Sequence, residues 1–521
     1  MKRHRSHRAR LTREHESLPW SDRLIEAGVI ALLVFTPLAY ATVEPWAEAI
    51  AEIIILGIAV TWICSILRQW ELRVELPPSY LPAVLFLGLV VIQSLSLPAL
   101  LVQLVSPGAA ALTRDAWAFT GGETDFIALS LNHHETWRMV LKLMAVALLF
   151  LVVYNTYHTR DQARRAVWVM IGMGTLIALF GIAQRMTWNG RFYWIGPEAP
   201  ASYAFGPFVN RTHFAGLIVV VVPMALALAL ASRRPPERGR HRDDWQARLR
   251  AWNSLEGGPT SLIPWFVLLM GGAALMSGSR GGLLALLIAL SLMVGLSARG
   301  RSGRGQGRRI ALASVLIVLT AVWIGGDVLY GTVERLTEEL GQPDESPRLH
   351  IWADAIQLWK QFPLVGSGLG TFGVAFPLER TVLAPVTFTH AESDWVQLLT
   401  DTGAVGLLLA LSSVGLVARV LLRRYRGTDS LWTQALALGG LVALARAVVQ
   451  GIANFNLAVM SNFIYLALAV ALGLRAQGSI RAPDASDTAA WAPPFGEPDR
   501  ELRSGQASHS SPQGDGAPVT T

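Results

Sequence analysis

The chain has 521 residues, of which 52% are hydrophobic and only 16% are charged, whereas an ordinary soluble protein carries roughly 25% charged residues. This composition excludes a disordered chain and argues against a single soluble domain. The single cysteine, Cys64, excludes an intrachain disulfide bond and a metal cluster built from cysteines. The net charge of +7 could by itself indicate a nucleic-acid partner, but the arginines lie in short blocks between long apolar runs. That arrangement is typical of membrane topology, and we expect no nucleic-acid partner.

Twelve long, nearly uncharged runs predict the membrane spans. A bilayer core about 30 Å thick needs about 20 helical residues, because in lipid the backbone must satisfy its own hydrogen bonds. The sequence therefore predicts an all-α polytopic integral membrane protein of about 12 transmembrane helices, with one long, partly helical periplasmic loop before the tenth. The predicted spans are 25–43, 48–67, 80–98, 139–157, 166–186, 212–232, 261–276, 282–297, 310–330, 403–421, 431–450 and 457–474.

Two of these spans have alternative interpretations. The seventh and eighth are short and are joined by 277–281 (SGSRG), so they could form one broken helix. Because each distal end faces a basic loop, a tight hairpin that crosses twice is the better prediction. The first span could instead be a signal peptide, since 39–41 (AYA) resembles a cleavage site. A further span follows almost at once, so we expect the first span to be retained.

The distribution of basic residues predicts the orientation of the chain. With a cytoplasmic N-terminus, 31 of the 44 Lys and Arg residues lie on the cytoplasmic side and 8 on the outer side, so both termini are predicted to be cytoplasmic. Inside the cytoplasmic loop 233–260, the stretch 245–252 (WQARLRAW) fits either a short interfacial helix or a plain solvated loop. The predicted organisation is a basic N-terminus (1–24), nine spans (25–330), a periplasmic loop (331–402), three spans (403–475) and a disordered cytoplasmic tail (476–521).

The first long outer segment, 99–138, contains a group of metal-ligand residue types. His133, His134 and Glu135 are residue types that bind metal ions. They are consecutive, however, and no further residue has the spacing required to complete a ligand set. The chain also lacks a P-loop, a dinucleotide-binding fingerprint, an HExxH motif and a nucleophile elbow. We therefore expect neither a metal site nor a cofactor.

Three arginines lie at outer boundaries, against the cytoplasmic bias of the other basic residues. Arg211 begins the sixth span, Arg280 lies in the hairpin between the seventh and eighth, and Arg348 lies in the long loop. Snorkelling of the side chain to lipid phosphate explains any one of them. Together, and beside a histidine on the same membrane face, they favour a phosphate-bearing substrate, because guanidinium groups match phosphate oxygens.

The long outer loop, 331–402, is too strongly patterned to be disordered. Its stretch 348–359 predicts a helix whose apolar face is formed by residues 349, 352, 355, 356 and 359. The stretch 366–372 (GSGLGTF) then predicts a turn containing Gly368 and Gly370. Amide groups in such a turn could cradle an anion, or the turn could be purely structural.

The same loop ends with a candidate general base. At 3.6 residues per turn, His390, Asp394 and Gln397 share one face of a helix that enters the tenth span. The Asp394 carboxylate could orient or charge the imidazole of His390, as a general base requires. The alternative is that these residues only cap a helix and meet lipid headgroups.

In this order, the motifs resemble those of the O-antigen ligase and Wzy-type polymerase superfamily. The resemblance covers roughly residues 25–475, and no single motif decides it; the order of the motifs and the long loop before the tenth span do. The segments that carry it are 37–46, 210–216 (NRTHFAG), 277–282 (SGSRGG), the 348–352 helix, 363–372 (PLVGSGLGTF), 390–406 and 454–457 (NFNL).

The resemblance implies a multi-spanning bacterial inner-membrane glycosyltransferase. Such an enzyme moves a glycan from an undecaprenyl-diphosphate carrier to the hydroxyl of a saccharide or lipid-A-core-type acceptor at the periplasmic face, without a metal ion. It would give Arg211 and Arg280 the diphosphate of the donor, and His390 the activation of the acceptor hydroxyl. Arg348 would bind phosphate or order the loop. Asn210, His213, Gly368 and Gly370 would have supporting roles.

Two points remain open from the sequence. Many family members have a histidine at the position of Glu392, whereas others have it two residues earlier, so Glu392 is the alternative base. Ligase, polymerase and protein oligosaccharyltransferase share these motifs, so the acceptor stays undetermined. From another functional class, the alternative is a secondary transporter or a flippase of lipid-linked glycans, which would prefer ionisable groups near the bilayer midplane and inverted repeats.

Overall fold

The computed structural model describes residues 19–69, 74–120, 125–198, 204–232, 259–299, 347–381 and 387–475, all within the compact unit Met1–Gly478. Over these ranges the chain forms fifteen α-helices and one sheet of two short strands. The prediction of a helical membrane protein is confirmed in its class. It omitted one feature, the antiparallel pair of strands β1 (Ser96–Pro98) and β2 (Phe126–Ala128).

The helices follow one another with few long connections. In chain order they are α1 (Trp20–Leu38), α2 (Pro45–Gln69), α3 (Tyr80–Ser94), α4 (Ala99–Val105), α5 (Pro107–Thr120), α6 (His133–Thr156), α7 (Arg160–Met186), α8 (Arg211–Ala231), α9 (Ile263–Met276), α10 (Arg280–Arg299), α11 (Pro347–Gln361), α12 (Phe372–Ala375), α13 (Asp394–Gly427), α14 (Leu431–Gln450) and α15 (Met460–Arg475).

Seven of the described helices are long and apolar enough to cross a membrane, namely α2, α6, α7, α8, α10, α13 and α14. Three shorter apolar helices accompany them, α3, α9 and α15. Eleven of the twelve predicted spans coincide with described helices, and the seventh and eighth form two separate helices, α9 and α10. The total number of spans stays a prediction, because the ninth, 310–330, lies outside the described residues.

Several other predicted segments also lie outside the described residues. They are most of the basic N-terminus, the loop 233–260 with its candidate interfacial helix at 245–252, the first part of the long loop up to residue 346, and the tail 476–521.

The core is organised around α8, which is apolar on all sides and buried along nearly its whole length. Such a helix needs apolar neighbours in every direction, and α7, α9, α10, α14 and α15 all pack against it. The first helix is also integrated: α1 packs against α2 and α7, and Tyr465 donates a hydrogen bond of 2.6 Å to the carbonyl of Leu33. Helix α8 is therefore packed on several sides by apolar helices.

Helix α11 occupies the stretch predicted to be helical, but its buried face differs from the prediction. Ile351, Ala355 and Leu358 are buried, whereas Leu349 is exposed and Trp352 and Trp359 are half-buried or less. An indole needs an acceptor for its N–H group, and Trp352 and Trp359 donate theirs to backbone carbonyls at 3.0 and 3.1 Å. Of the predicted apolar face 349, 352, 355, 356 and 359, only Ala355 is fully buried, because the buried side of the helix is centred on Ile351, Ala355 and Leu358.

Helix α13 begins nine residues before the predicted tenth span, at Asp394 rather than at residue 403. The predicted boundary marks a break inside the helix, because Gly403 has φ +66° and ψ −172°. A Cβ atom on Gly403 would overlap the carbonyl of Leu364. The chain 363–365 crosses the helix at this break, and Ala404 donates a hydrogen bond of 2.9 Å to the Pro363 carbonyl.

Candidate active site

The N-terminal turn of α8 carries three of the predicted site residues. Asn210 caps the helix, because its side-chain oxygen accepts a hydrogen bond of 2.8 Å from the backbone N–H of Thr212. Arg211 is the first helical residue and is partly buried. His213 is buried, and its Nδ1 lies 2.9 Å from Oδ1 of Asn456. Asn210 thus starts the helix, and His213 ties it to 454–458; their supporting role at the site stays a prediction.

The N-terminal turn of α10 carries Arg280 and lies directly beside that of α8. Ser279 caps α10 by accepting a hydrogen bond of 3.1 Å from the N–H of Gly282. A Cβ atom on Gly282 would overlap the Cβ of Ala215, one helical turn after Arg211. Because the two first turns are in contact, Arg280 and Arg211 arise from neighbouring positions at the same end of the helix bundle.

His390 lies at this end as well, stacked on an aromatic ring. Its imidazole is nearly parallel to the ring of Phe455, with an angle of 14° and 4.3 Å between ring centroids. His213 approaches the same ring at 4.9 Å with an angle of 76°. Phe455 is therefore shared between the two histidines, and sequence patterns alone do not reveal this arrangement.

The surroundings of His390 favour its neutral form. Burial lowers the pKa of the imidazole to about 4, and His213, Lys142 and Arg138 act in the same direction. Its Nδ1 lies 3.0 Å from Oγ1 of Thr389. An imidazole that is unprotonated at neutral pH can accept a proton, which is the state that a general base requires.

Asp394 has a different partner from the one expected. Its carboxylate accepts hydrogen bonds from the backbone N–H of Leu457 at 3.3 and 3.4 Å, and its own N–H donates to the Asn454 carbonyl at 3.0 Å. The expected pairing with His390 is thus replaced by contacts to the segment 454–457, since the histidine Nδ1 faces Thr389. Asp394 helps to hold the chain that carries Phe455.

Glu392, the alternative base, pairs with Arg348. The nearest side-chain atoms are 3.8 Å apart, and both side chains are partly exposed. Burial raises the pKa of the Glu392 carboxyl, while the Arg348 charge opposes this. Next to this pair, Trp352 of α11 donates to the carbonyl of Ala391 at 3.0 Å. Of the two roles expected for Arg348, these contacts support the ordering of the loop.

The glycine-rich turn 366–371 is structural. Gly368 and Gly370 have φ values of +112° and +84°, which favour glycine. All six backbone N–H groups donate within the protein: Gly366 to Phe362, Ser367 to Thr400, Gly368 to Asp401, Leu369 to Gln93, Gly370 to the Asp401 carboxylate at 2.9 Å, and Thr371 to Gly368. These contacts favour the structural alternative over the anion cradle.

The segment 454–458 connects all of these groups, although the hydropathy pattern gives it no special importance. Its contacts are those of Asn454 with Asp394 and Gly281, Phe455 with both histidines, Asn456 with His213, Leu457 with Asp394, and Ala458 with Lys142. The sequence resemblance included 454–457, but only the structure reveals that this segment lies between α8, α10 and α13.

Two buried cations near this segment were also missed as site residues. Arg446 of α14 donates to the Gly216 carbonyl and to the Gln450 side chain, each at 2.5 Å. Lys142 of α6 donates to Glu48 and to the Ala458 carbonyl, each at 2.6 Å. The available signal was a charged residue within an apolar run, which in membrane proteins usually has a partner.

One segment of the chain matches a known protein family. Residues 265–411 match the family model described as O-antigen ligase. The matched segment includes Arg280, Arg348 and His390, whereas Arg211 and 454–458 lie outside it. No curated protein matches the chain. The matched segment 265–411 is thus similar to the O-antigen ligase family, which agrees with the resemblance seen in the motifs.

Proposed function

We propose that the protein is an O-antigen ligase-type membrane glycosyltransferase of surface polysaccharide biosynthesis. The donor is a glycan on undecaprenyl diphosphate, and the acceptor is a hydroxyl of a saccharide or of a lipid-A-core-type molecule. One observation carries the proposal: His390, stacked on Phe455, lies at the same end of the bundle as Arg211 and Arg280, which begin two adjoining helices. This combination supplies a base and two anion-binding groups.

The reaction is a displacement at the anomeric carbon of the donor sugar. The acceptor oxygen forms a bond to this carbon while the bond to the diphosphate oxygen breaks, and the electron pair leaves with the diphosphate. Negative charge therefore develops on the leaving group. Arg211 and Arg280 stabilise it through charge-assisted hydrogen bonds, and fixed donors of this kind are effective because they need no reorganisation.

The helix termini add to the binding of the leaving group. The N-terminus of a helix carries a partial positive charge, so it favours an anion. Both Arg211 and Arg280 stand at such an N-terminus, and the two termini are in contact through Ala215 and Gly282. Two helix ends and two guanidinium groups thus point to a diphosphate rather than to a single carboxylate.

His390 takes the proton of the attacking hydroxyl. A positioned general base typically contributes about 10²–10⁴ in rate. The stacked Phe455 ring fixes the plane of the imidazole, and the turn 390–393 is held by Trp352 and by Ser393, which donates to the Gly451 carbonyl at 3.0 Å. A rigid base loses little entropy when the acceptor arrives.

The location follows from the same proposal. The undecaprenyl chain requires a lipid environment, so the protein acts in the bacterial inner membrane, with the site at the periplasmic face and both termini in the cytoplasm. No cofactor or metal ion is required. Ligase, polymerase and protein oligosaccharyltransferase differ in the acceptor, and the site residues are compatible with each.

The purified protein tests this function directly. Incubated with an undecaprenyl-diphosphate-linked oligosaccharide and a saccharide acceptor, it should form a new glycosidic bond and release undecaprenyl diphosphate. The yield should be the same in the presence of a chelator. In liposomes, movement of the donor across the bilayer without bond formation would instead support the flippase alternative and reject the proposal.

A further inference from the structure

A buried ion pair lies beside the His390 site. Lys142 of α6 is only 6% exposed, and its ammonium group donates to Oε1 of Glu48 at 2.6 Å. Glu48 belongs to the first turn of α2. Arg138, one turn earlier on α6, approaches the other Glu48 oxygen at 3.9 Å and pairs with Glu135 at 3.0 Å.

The ion pair also binds a backbone carbonyl outside the two helices α2 and α6. This contact is not needed to join the two helices. The Lys142 ammonium also donates to the backbone carbonyl of Ala458 at 2.6 Å. Ala458 ends the short 3₁₀ turn Asn456–Ala458, which directly follows Phe455. A buried ion pair is weak evidence for stability, because apolar residues of similar volume often stabilise as well. The bond to Ala458 gives the pair a purpose at the site, since it anchors the chain on which His390 is stacked.

Charged and titratable groups lie near His390 on several elements. Arg138 and Lys142 of α6 and His213 of α8 act on it electrostatically. On its own segment Glu392 is paired with Arg348 of α11. At the start of α13, Asp394 is engaged by the Leu457 N–H. The nearest carboxylates thus have other partners, and the cations of α6 act on the imidazole.

We propose that Lys142, held in place by Glu48, is a positioning residue for His390. It anchors 454–458 under the imidazole, so that the ring of Phe455 holds His390 in place. Its charge also disfavours the protonated imidazole. The inference rests on the proposed function, because it gives His390 the role of the base.

The test measures the protonation of His390 without relying on transfer activity. Diethyl pyrocarbonate reacts with the unprotonated imidazole, and mass spectrometry of the peptide that contains His390 gives its modification rate at each pH. In the full-length protein, Lys142→Met should move the midpoint of this profile to higher pH, because a neighbouring cation is lost. Lys142→Arg should restore the original midpoint. Glu48→Gln should not raise the midpoint, because the Lys142 charge remains.

Glycan transfer is measured on the same samples. Because His390 is then no longer held in position, Lys142→Met should lower kcat by about tenfold or more, part of the contribution of a general base, with a smaller change in the KM for the donor. Lys360→Met is the matched control, because Lys360 lies on α11 and its ammonium donates to Gln357 at an exposed site. This control should leave both measurements unchanged.

The two proposals fail in different ways. If Lys142→Met leaves the His390 midpoint where it is, Lys142 does not act on His390 and the inference is overturned, whatever the transfer rate. A Lys142→Met protein with parental kcat overturns it as well. If the midpoint moves as expected but the parental protein transfers no glycan, the positioning stands and the proposed function fails.

Discussion

His390 and Glu392 are only two residues apart, but their surroundings differ. His390 is stacked on Phe455, whereas Glu392 is paired with Arg348. We therefore expect His390→Ala to slow glycan transfer by about 10²–10⁴, the usual contribution of a general base, and Glu392→Gln to slow it less. The measurement is the transfer assay, with thermal unfolding as the check on folding. An active His390→Ala protein together with an inactive Glu392→Gln protein would assign the base to Glu392.

The pKa of His390 also predicts a pH profile. Burial lowers this pKa to about 4, and a base works only in its unprotonated form. The rate of transfer should therefore not change with pH near neutrality, where His390 is unprotonated. It should fall as the pH drops through about 4, where the imidazole becomes protonated. The value of kcat/KM measured from pH 7 downwards checks this. A fall centred near pH 6.5, the ordinary pKa of histidine, would show that burial does not lower the pKa of this imidazole.

Arg211 and Arg280 should be sensitive to the shape of the cation as well as to its charge. Replacement of either by Lys keeps the charge but removes the planar group that binds two phosphate oxygens at once. We expect kcat/KM for the donor to fall by at least about tenfold in each variant, the effect of one lost charge-assisted hydrogen bond. The protein level should stay normal. Arg164→Lys is the control, because Arg164 pairs with Asp161 at an exposed site on α7. Parental donor kinetics in both site variants would reject the diphosphate assignment.

For single residues, the sequence indicated the candidate side chains better than it indicated the residues that they contact. Arg280 and His390 stand out because they are polar groups beside apolar spans. Phe455 does not stand out, because an aromatic residue in a polar turn has many possible roles. The pairing of Asp394 with Leu457 rather than with His390 depends on where 454–458 folds back. Local spacing contains no information on a contact between residues more than sixty positions apart.

Among the secondary-structure elements, the break in α13 offers a sharp test. Gly403 has a backbone conformation that is essentially restricted to glycine and costs other residues about 1–3 kcal/mol. A side chain there would also overlap the carbonyl of Leu364. Gly403→Ala should therefore lower the Tm in detergent and weaken transfer, because the break positions the turn 366–371 that follows Leu364.

A second glycine on the same helix supplies the control. Gly415 of α13 has open space around the position of a Cβ atom, and Ala is favoured over Gly within a helix. Gly415→Ala should keep or slightly raise the Tm. If the two variants unfold at the same temperature, the break at Gly403 is not a constraint on the fold.

The elements themselves were predictable to the extent that they are apolar. Long hydrophobic runs marked α2, α6, α7 and α8 because a lipid-facing or core helix has few alternatives. A helix entering the tenth span was expected, but the span was placed from residue 403, because Asp394, Gln397 and Asp401 lower the hydropathy of the first turns of α13. His390, expected on the same helical face as Asp394 and Gln397, precedes the helix. In the folded chain the Asp401 carboxylate accepts the N–H of Gly370 at 2.9 Å, a compensation that only tertiary structure reveals. The strands β1 and β2 are too short for any periodicity to be detected.

For the whole molecule, the described residues place the functional candidates at one end of the helix bundle. The starts of α8, α10 and α13 meet there through the segment 454–458. The charge bias predicted that Arg211, Arg280 and His390 share the outer side, and a shared end agrees with that prediction. A glycan carrier embedded in one leaflet needs such an arrangement, because its diphosphate remains at the membrane surface.

The distribution of basic residues predicts how the chain is oriented in the membrane. The bias of 31 basic residues to 8 predicts that the loop 233–260 is cytoplasmic and that 331–402 lies outside. Reporter fusions after residues 250 and 375 should therefore report opposite compartments. A third fusion, after residue 428, should match the one after 250, because α13 runs from the His390 end of the bundle to the basic residues Arg423, Arg424 and Arg426. If the fusions after 375 and 428 report the same compartment, α13 does not cross the membrane, and the site at its start cannot be assigned to the periplasmic face.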